Sequence, residues 1–341
     1  MSPTATAPAL DKKRIIWIDW MKSIGIYLIV AGHFFPIGER YVYGFSVPLF
    51  FLVSGFLSKR EPDSRIFWKK LWYNMVIPLA SLCLIIFTAE ECAKIYEGNF
   101  SLSDIPKFLV GFIGGFHFSL QCLWYVYTLI CLKIILQYMA KGRTMNILLL
   151  IALPMAGIWL NRVFPSVFGF RIVRAYNAAI DTTIAYPFYI IGFYLKKWKS
   201  VITGYRNIPV EIICFAIFAF ILIFSVMYNG DDRVSIVRCC YGDNFILYLT
   251  GGLSGSICVL IISKFLGDTL SGFATTISRG TIIILAFHIY LIPYIKPLIS
   301  DCNPFVEYLA ALLLTISFVP LIMLISRYAP FLIGNRGNKS T

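Results

Sequence analysis

Apolar runs of about 17–25 residues recur along almost the whole chain, separated by short polar segments. They lie near 15–37, 41–57, 70–90, 118–139, 145–163, 180–197, 208–228, 245–266, 279–298 and 305–327. Runs of this length are too long for strands and match the thickness of a bilayer. The pattern predicts an all-α fold, a polytopic membrane helix bundle of about ten transmembrane helices. It also predicts one domain over 1–341, with 1–14 as a stub and 328–341 as a tail. The second run is short and holds Pro48 and Gly55. It is therefore expected to kink or to lie partly among its neighbours.

Composition narrows the class. Hydrophobic residues make up 59% of the 341 and charged residues 14%, against about 25% charged in soluble domains. The formal net charge of +13 would suit nucleic acid if it were clustered on one face. Instead it follows the loops. Lys12, Lys13 and Arg14, then Lys59, Arg60, Arg65, Lys69 and Lys70, then Lys196, Lys197 and Lys199 fall on one side of the predicted membrane. The opposite side receives fewer, among them Arg40, Lys94 and Lys107. Basic loops stay on the cytoplasmic side, so both termini are expected there. Nucleic acid is not an expected partner, and membrane lipids are. The polar N-terminal MSPTATAPALDKKR reads as a stub before a retained span rather than a removed signal peptide.

The nine Cys show no C-x-x-C pair and no Cys/His cluster at zinc spacing, so no metal site is expected. Most lie in apolar runs, where Cys acts as a small hydrophobe. Cys239 and Cys240 fall in a predicted outer loop, where a pairing with Cys92 or Cys302 is open. Another outer segment, NRVFPSVFGFRIVRAYNAAID, carries Arg162, Arg171 and Arg174 on the side that should be poor in cations. Two readings stand. Either these arginines pair locally with Asp181 or with headgroups, or Arg171 and Arg174 receive an anionic acceptor, since Arg offers a bidentate fork. In the loop 91–117, Ser101-x-x-Asp104 followed by Pro106 resembles a helix start, consistent with an interfacial helix.

The first span, DWMKSIGIYLIVAGHFF, holds Asp19, Lys22 and His33. Each charge near a bilayer centre costs roughly 2.5–3.5 kcal/mol on insertion scales. Lys22 and His33 stand about three helical turns apart, which puts them on one face roughly 16 Å from each other. Asp19 stands one turn before Lys22. Taken singly, Asp19–Lys22 reads equally as a pair reaching the headgroups, and His33 as an interfacial histidine. Taken together they form a polar stripe, which a membrane helix tolerates against the bundle interior or a watered channel. His288 in TIIILAFHIYLIP is a second intramembrane histidine, open to a functional role or a structural hydrogen bond. Trp124 in CLWYVYTLI, preceded by His117, reads as packing or as a stacking platform.

Several stretches together carry a family resemblance: WIDWMKSIGIYLIVAGH, FSVPLFFLVSGFLSKR, LWYVYTLI, AYPFYIIGFYLKK, LSGSICVLIISKFLG and ISRGTIIILAFHIY. In order and spacing they resemble acyltransferase family 3, the integral membrane O-acyltransferases of bacterial surface glycans, and within it the fucose-O-acetyltransferase-like branch. The resemblance implies about ten spans around a polar pore in the bacterial plasma membrane. It implies transfer of an acyl group, usually acetyl, from cytoplasmic acyl-CoA to a sugar hydroxyl on the outer face. Acetyl-CoA would be a co-substrate, with no resident cofactor, and the acceptor a glycan or lipid-linked saccharide. In the family a basic residue, ten residues and a histidine needed for activity mark the first span. His33 matches that histidine, and Lys22 the basic position, where many members have Arg. No fused hydrolase-like domain is present, so the reaction is expected within the spans. On this reading His33 is the general base, Lys22 draws the CoA end and Asp19 holds Lys22. Asp19, Lys22 and His288 are expected along the pore, and Arg171, Arg174, Trp124 and His117 at the acceptor. A transporter or flippase of a glycan or amphipathic solute is the alternative, also served by intramembrane charge.

Overall fold

The computed structural model describes residues 14–168, 177–230, 234–236, 240–299 and 303–335, with the backbone alone over 161–168. Among them twelve helices form in chain order. They are α1 (Ile16–Phe34), α2 (Glu39–Leu57), α3 (Ser64–Tyr96), α4 (Asp104–Gly114), α5 (His117–Met139), α6 (Gly142–Phe168), α7 (Ala178–Gly204), α8 (Ile208–Met227), α9 (Phe245–Leu266), α10 (Ser271–Arg279), α11 (Thr281–Ile299) and α12 (Val306–Tyr328). Nine of these, all but α1, α4 and α10, are long and apolar enough to cross a membrane. The first helix is 19 residues long, and its ionisable stripe is what sets it apart from those nine. The result is an all-α, multi-pass helix bundle.

Local sequence explains the boundaries. The Asp63 side chain accepts from Arg65 N at 2.7 Å, capping α3 six residues before the apolar run begins. A π turn over Trp72–Val76 interrupts α3 just before Pro78, where the missing N–H breaks the regular ladder. The run expected over 279–298 is divided at Gly280, between α10 and α11. A Cβ there would overlap the Ile322 side chain of α12, so the break sits where two helices nearly touch. The helix expected in the 91–117 loop is α4, whose Ile105, Leu109, Val110 and Ile113 are exposed. Ser103 makes no side-chain cap. Asp104 is instead held by Lys94 at 2.8 Å and Lys107 at 3.2 Å, hydrogen bonds that keep its carboxyl below the ordinary value of 3.8.

The bundle is organised around α1, which touches α2, α9, α10, α11 and α12. The closest helix crossing is that of α2 on α7. A Cβ at Gly55 would overlap the Tyr189 carbonyl, and one at Gly192 would overlap the Leu52 carbonyl. The two glycines thus let the backbones meet reciprocally, as small residues do in membrane bundles. This crossing fixes a clasp at the end of α2. Tyr189 Oη bonds Ser58 Oγ at 2.8 Å, Lys133 Nζ donates to Ser58 Oγ at 3.0 Å, and Lys196 Nζ donates to the Ser58 carbonyl at 2.8 Å. Glu61 and Gln137 exchange backbone–side-chain bonds at 3.0 and 2.9 Å, and Arg60 donates to the carbonyls of Leu136 and Ala140. α2 is largely buried, as its Pro and Gly content predicts. The outward face of α8, with Ile212, Ile213, Ile217 and Phe220 exposed, is apolar as a lipid-facing helix requires.

The reciprocal crossing gives a direct expectation. Gly55→Ala or Gly192→Ala should cost at least about 1–3 kcal/mol through forced overpacking, read as a lower Tm of the detergent-solubilised protein. Gly272→Ala, where nothing lies within 4 Å of a new Cβ, should leave Tm unchanged or slightly raised.

Candidate functional site

A continuous cavity of about 950 Å³ runs along α1. One end is lined by Arg14, Lys22, Asn74, Ser278, Arg279 and Asn335. Its middle is lined by Ile26, Phe50, Ser54, Tyr125 and Leu285, and its other end by His33, Tyr43, His117, Gln121, Cys122 and Trp124. A helix of 19 residues is about 28 Å long, so the cavity reaches from one end of a membrane-length element to the other. Lys22 and His33 both lie on its wall, and this is the face that their spacing predicts.

The cationic end is built by the first turn of α1. Asp19 is 4% exposed and accepts from Arg14 Nε at 2.5 Å and Nη2 at 2.9 Å. The same carboxylate accepts from Ser278 Oγ at 2.7 Å and Thr275 Oγ1 at 3.2 Å. Ser23 Oγ donates to the Ala274 carbonyl at 3.0 Å and Trp20 Nε1 to the Gly267 carbonyl at 3.1 Å. These bonds pin α10 to α1 and bring Arg279 to the mouth beside Arg14. Asp19 therefore sits behind the wall, and its partner is Arg14 rather than Lys22. Lys22 lies on the cavity wall and forms no ion pair among the described residues. Helical side chains lean toward the N-terminus, which carries the Asp19 carboxylate back toward Arg14.

His33 stands in the last turn of α1. The helix stops because Phe35 turns left-handed (φ 58°) and Pro36 follows. Two of its last carbonyls are taken up from other elements. Tyr43 Oη donates to Gly32 O at 3.1 Å and Lys296 Nζ to Phe34 O at 2.8 Å. The His33 ring lies 5.0 Å from that of His288, centroid to centroid. His288 is fully buried and lies behind the wall rather than on it. Its Nδ1 donates to the Ile284 carbonyl at 2.8 Å, leaving a lone pair on Nε2. Between the two ends, Tyr125 Oη and Ser54 Oγ share a hydrogen bond of 2.8 Å.

The far end depends on a contact that the sequence hides. Gly115, at φ +76°, turns the chain between α4 and α5, and a Cβ there would press on the Tyr127 ring. Phe116 then bridges to Asn177, with Ala178 N donating to Gly115 O at 2.9 Å and Asn177 Nδ2 to Gly114 O at 2.9 Å. Asn177 caps α7 by accepting from Ala179 N at 2.8 Å. This lays the first turn of α7 against the start of α5 and brings the fully buried Asp181 Oδ2 to 2.7 Å from His117 Nε2. The His117 ring stacks on Trp124, with centroids 5.4 Å apart and planes at 18°. Asp181 is thus the partner of a histidine. Arg171 and Arg174 lie outside the described residues, as do Cys239 and Cys302, while Cys92 and Cys240 are free thiols.

Sequence reasoning missed Arg14 and Arg279 as mouth residues, Tyr125 on the wall, the Asp181–His117 pair, and Cys122. Although no metal spacing exists along the chain, the fold gathers His33, Cys122 and His288. One ligand atom from each lies within 4.8 Å of the others.

The family model described as an acyltransferase domain matches residues 15–324, and the chain belongs to that family, acyltransferase family 3. With its membrane-spanning helices it is a multi-pass membrane acyltransferase. No match was found among curated proteins or solved structures.

The buried pair makes its own prediction. Asp181→Ala should cost about 1–3 kcal/mol, because a buried hydrogen bond to His117 is lost. Asp181→Asn, which keeps an acceptor for a neutral ring, should cost less. Thermal unfolding in detergent checks both.

Proposed function

We propose that this acyltransferase takes an acyl group, acetyl in the first instance, from cytoplasmic acyl-CoA and gives it to a hydroxyl of an exported or surface glycan. The observation that carries this reading is one cavity that holds Lys22 toward a cationic mouth and His33 toward the opposite end. Lys22 and Arg279 supply positive charge where the CoA phosphates would enter, beside the Arg14–Asp19 pair, and a cation-lined cleft with low-dielectric walls focuses that attraction. On this reading the mouth faces the cytoplasm, as the basic loops suggest, and the His117 end faces the outer side of a bacterial plasma membrane.

The chemistry is thioester to ester exchange. A thiol of pKa about 8.5 makes CoA a ready leaving group, so the harder task is activating a sugar hydroxyl. Imidazole titrates near pH 6.5 and suits that task. His33 takes the hydroxyl proton as the oxygen attacks the thioester carbonyl. The tetrahedral intermediate collapses, the carbon–sulfur bond breaks, and the proton passes from His33 to the departing thiolate. General-base assistance of this kind contributes roughly 10²–10⁴-fold. Ser54 and Tyr125 are the neutral hydroxyl donors on the wall between the two ends. At the outer end the stacked His117–Trp124 pair, oriented by Asp181, offers an aromatic and polar surface of the type that receives a sugar. Arg171 and Arg174 remain proposed acceptor contacts.

Purified protein or membranes incubated with labelled acetyl-CoA and surface glycan provide the test. His33→Ala should lower transfer by at least about 100-fold with protein levels unchanged. Lys22→Ala should raise the KM for acyl-CoA, and Lys22→Arg should restore most of it. Full transfer by His33→Ala would remove the mechanism. Movement of glycan across the membrane with no label attached would favour the transporter alternative.

A further inference from the structure

We propose that His33, Cys122 and His288 form a binding site for a thiophilic divalent cation, for which Zn²⁺ is the probe, and that filling it stops acyl transfer. The second half rests on His33 acting as the base proposed above. The three residues come from α1, α5 and α11, so only the folded bundle brings them together. One donor atom from each lies within 4.8 Å of the others. Zinc binds nitrogen at about 2.0–2.1 Å and sulfur at about 2.3 Å. Tetrahedral ligands are then roughly 3.3–3.8 Å apart, within reach of small rotations of the Cys122 thiol and the His33 ring.

The independent sign is His288. It is fully buried, and its Nε2 has no hydrogen-bond partner among the described residues. A buried acceptor left in this state is costly, so the site gains by offering it a partner. Meanwhile its Nδ1–H is committed to the Ile284 carbonyl at 2.8 Å. A backbone carbonyl fixing one nitrogen so that the other presents its lone pair is the usual support of a metal-bound histidine. Cys122 is a free thiol, half-buried, and shares the cavity wall with His33.

Two imidazoles and one thiolate suit zinc and similar borderline or soft cations, and they do not suit Mg²⁺ or Ca²⁺, which take oxygen ligands. Binding displaces the Cys122 proton, which leaves to solvent. Three protein ligands leave a fourth position open toward the cavity for water. With its nitrogen on the metal, His33 has no lone pair for the acceptor hydroxyl, so an occupied site is an inactive one.

Cobalt gives a readout separate from activity. Full-length protein in detergent, titrated with Co²⁺, should take up one equivalent with a thiolate-to-cobalt charge-transfer band and tetrahedral d–d absorption. Zn²⁺ should displace it. Cys122→Ser should abolish the charge-transfer band, and His288→Gln should weaken binding by at least about tenfold, each with an unchanged gel-filtration profile. Absence of the band, or a band that survives Cys122→Ser, overturns the site. In the transfer assay Zn²⁺ should inhibit the wild type. Cys122→Ser, compared with its own metal-free rate, should be at least tenfold less sensitive. Equal sensitivity, or a rate that rises with Zn²⁺, overturns the switching. A chain with no metal-free transfer would overturn the proposed function instead, and the cobalt spectra would still decide the site.

Discussion

The structure depends on burying an ionisable stripe in its first helix. Removing Asp19, Lys22 and His33 from water is expensive, and such a helix is tolerated only when each group is paired or kept wet. The two ends of the stripe use different solutions. Asp19 is almost fully buried, and its oxygens are occupied by Arg14, Ser278 and Thr275. Lys22 and His33 instead face a cavity. A buried carboxylate of this kind is weak evidence for stability, since the cost of desolvation offsets its attraction to Arg14. Its consequence is positional. By holding Arg14 and α10 together it puts Arg279 at the mouth, and the helix that carries His33 is packed by α2, α9, α11 and α12.

Close backbone contact supplies the rigidity that this arrangement needs. Lipid tails are as apolar as leucine, so helix association in a membrane relies on packing and hydrogen bonds. The Gly55–Gly192 crossing of α2 and α7 brings Ser58 into reach of Tyr189, Lys133 and Lys196. α2 also carries Ser54 and Phe50 on the cavity wall, and α7 carries Asp181 beneath His117. One small-residue contact therefore holds both the middle of the cavity and its far end in register with α1.

Much of this was legible in the sequence. Helical periodicity alone puts Lys22 and His33 on one face, and the cost of intramembrane charge turns that face inward. The short helix α4 between two spans and the buried, proline-bearing α2 follow from similar local signals. What was hidden is long-range. Asp181 and His117 lie 64 residues apart, and only the Gly115 turn and the Asn177 bridge bring them together. The spacing of Asp19 and Lys22 suggested a mutual pair, but side-chain direction takes Asp19 back to Arg14 and across to α10. Likewise, searching for metal spacing along the chain cannot detect His33, Cys122 and His288, each from a different helix.

The two ends of the cavity differ in the kind of polarity they carry, and this bears on direction. At the mouth Lys22 and Arg279 carry positive charge, Arg14 is paired with Asp19 behind the wall, and no acidic side chain lines the wall among the described residues. Such an end attracts a polyanion and does little for a neutral sugar. At the other end the polar groups are His33, His117, Gln121 and Tyr43, set among the Trp124 ring and apolar neighbours. These offer hydrogen bonds and a stacking face, the complement of a saccharide rather than of a phosphate. On the proposed reading, two chemically unlike substrates enter one cavity from opposite ends and need not compete for the same surface. His33, near the end that suits the sugar and on the same helix face as Lys22, is then positioned where their reacting atoms would meet.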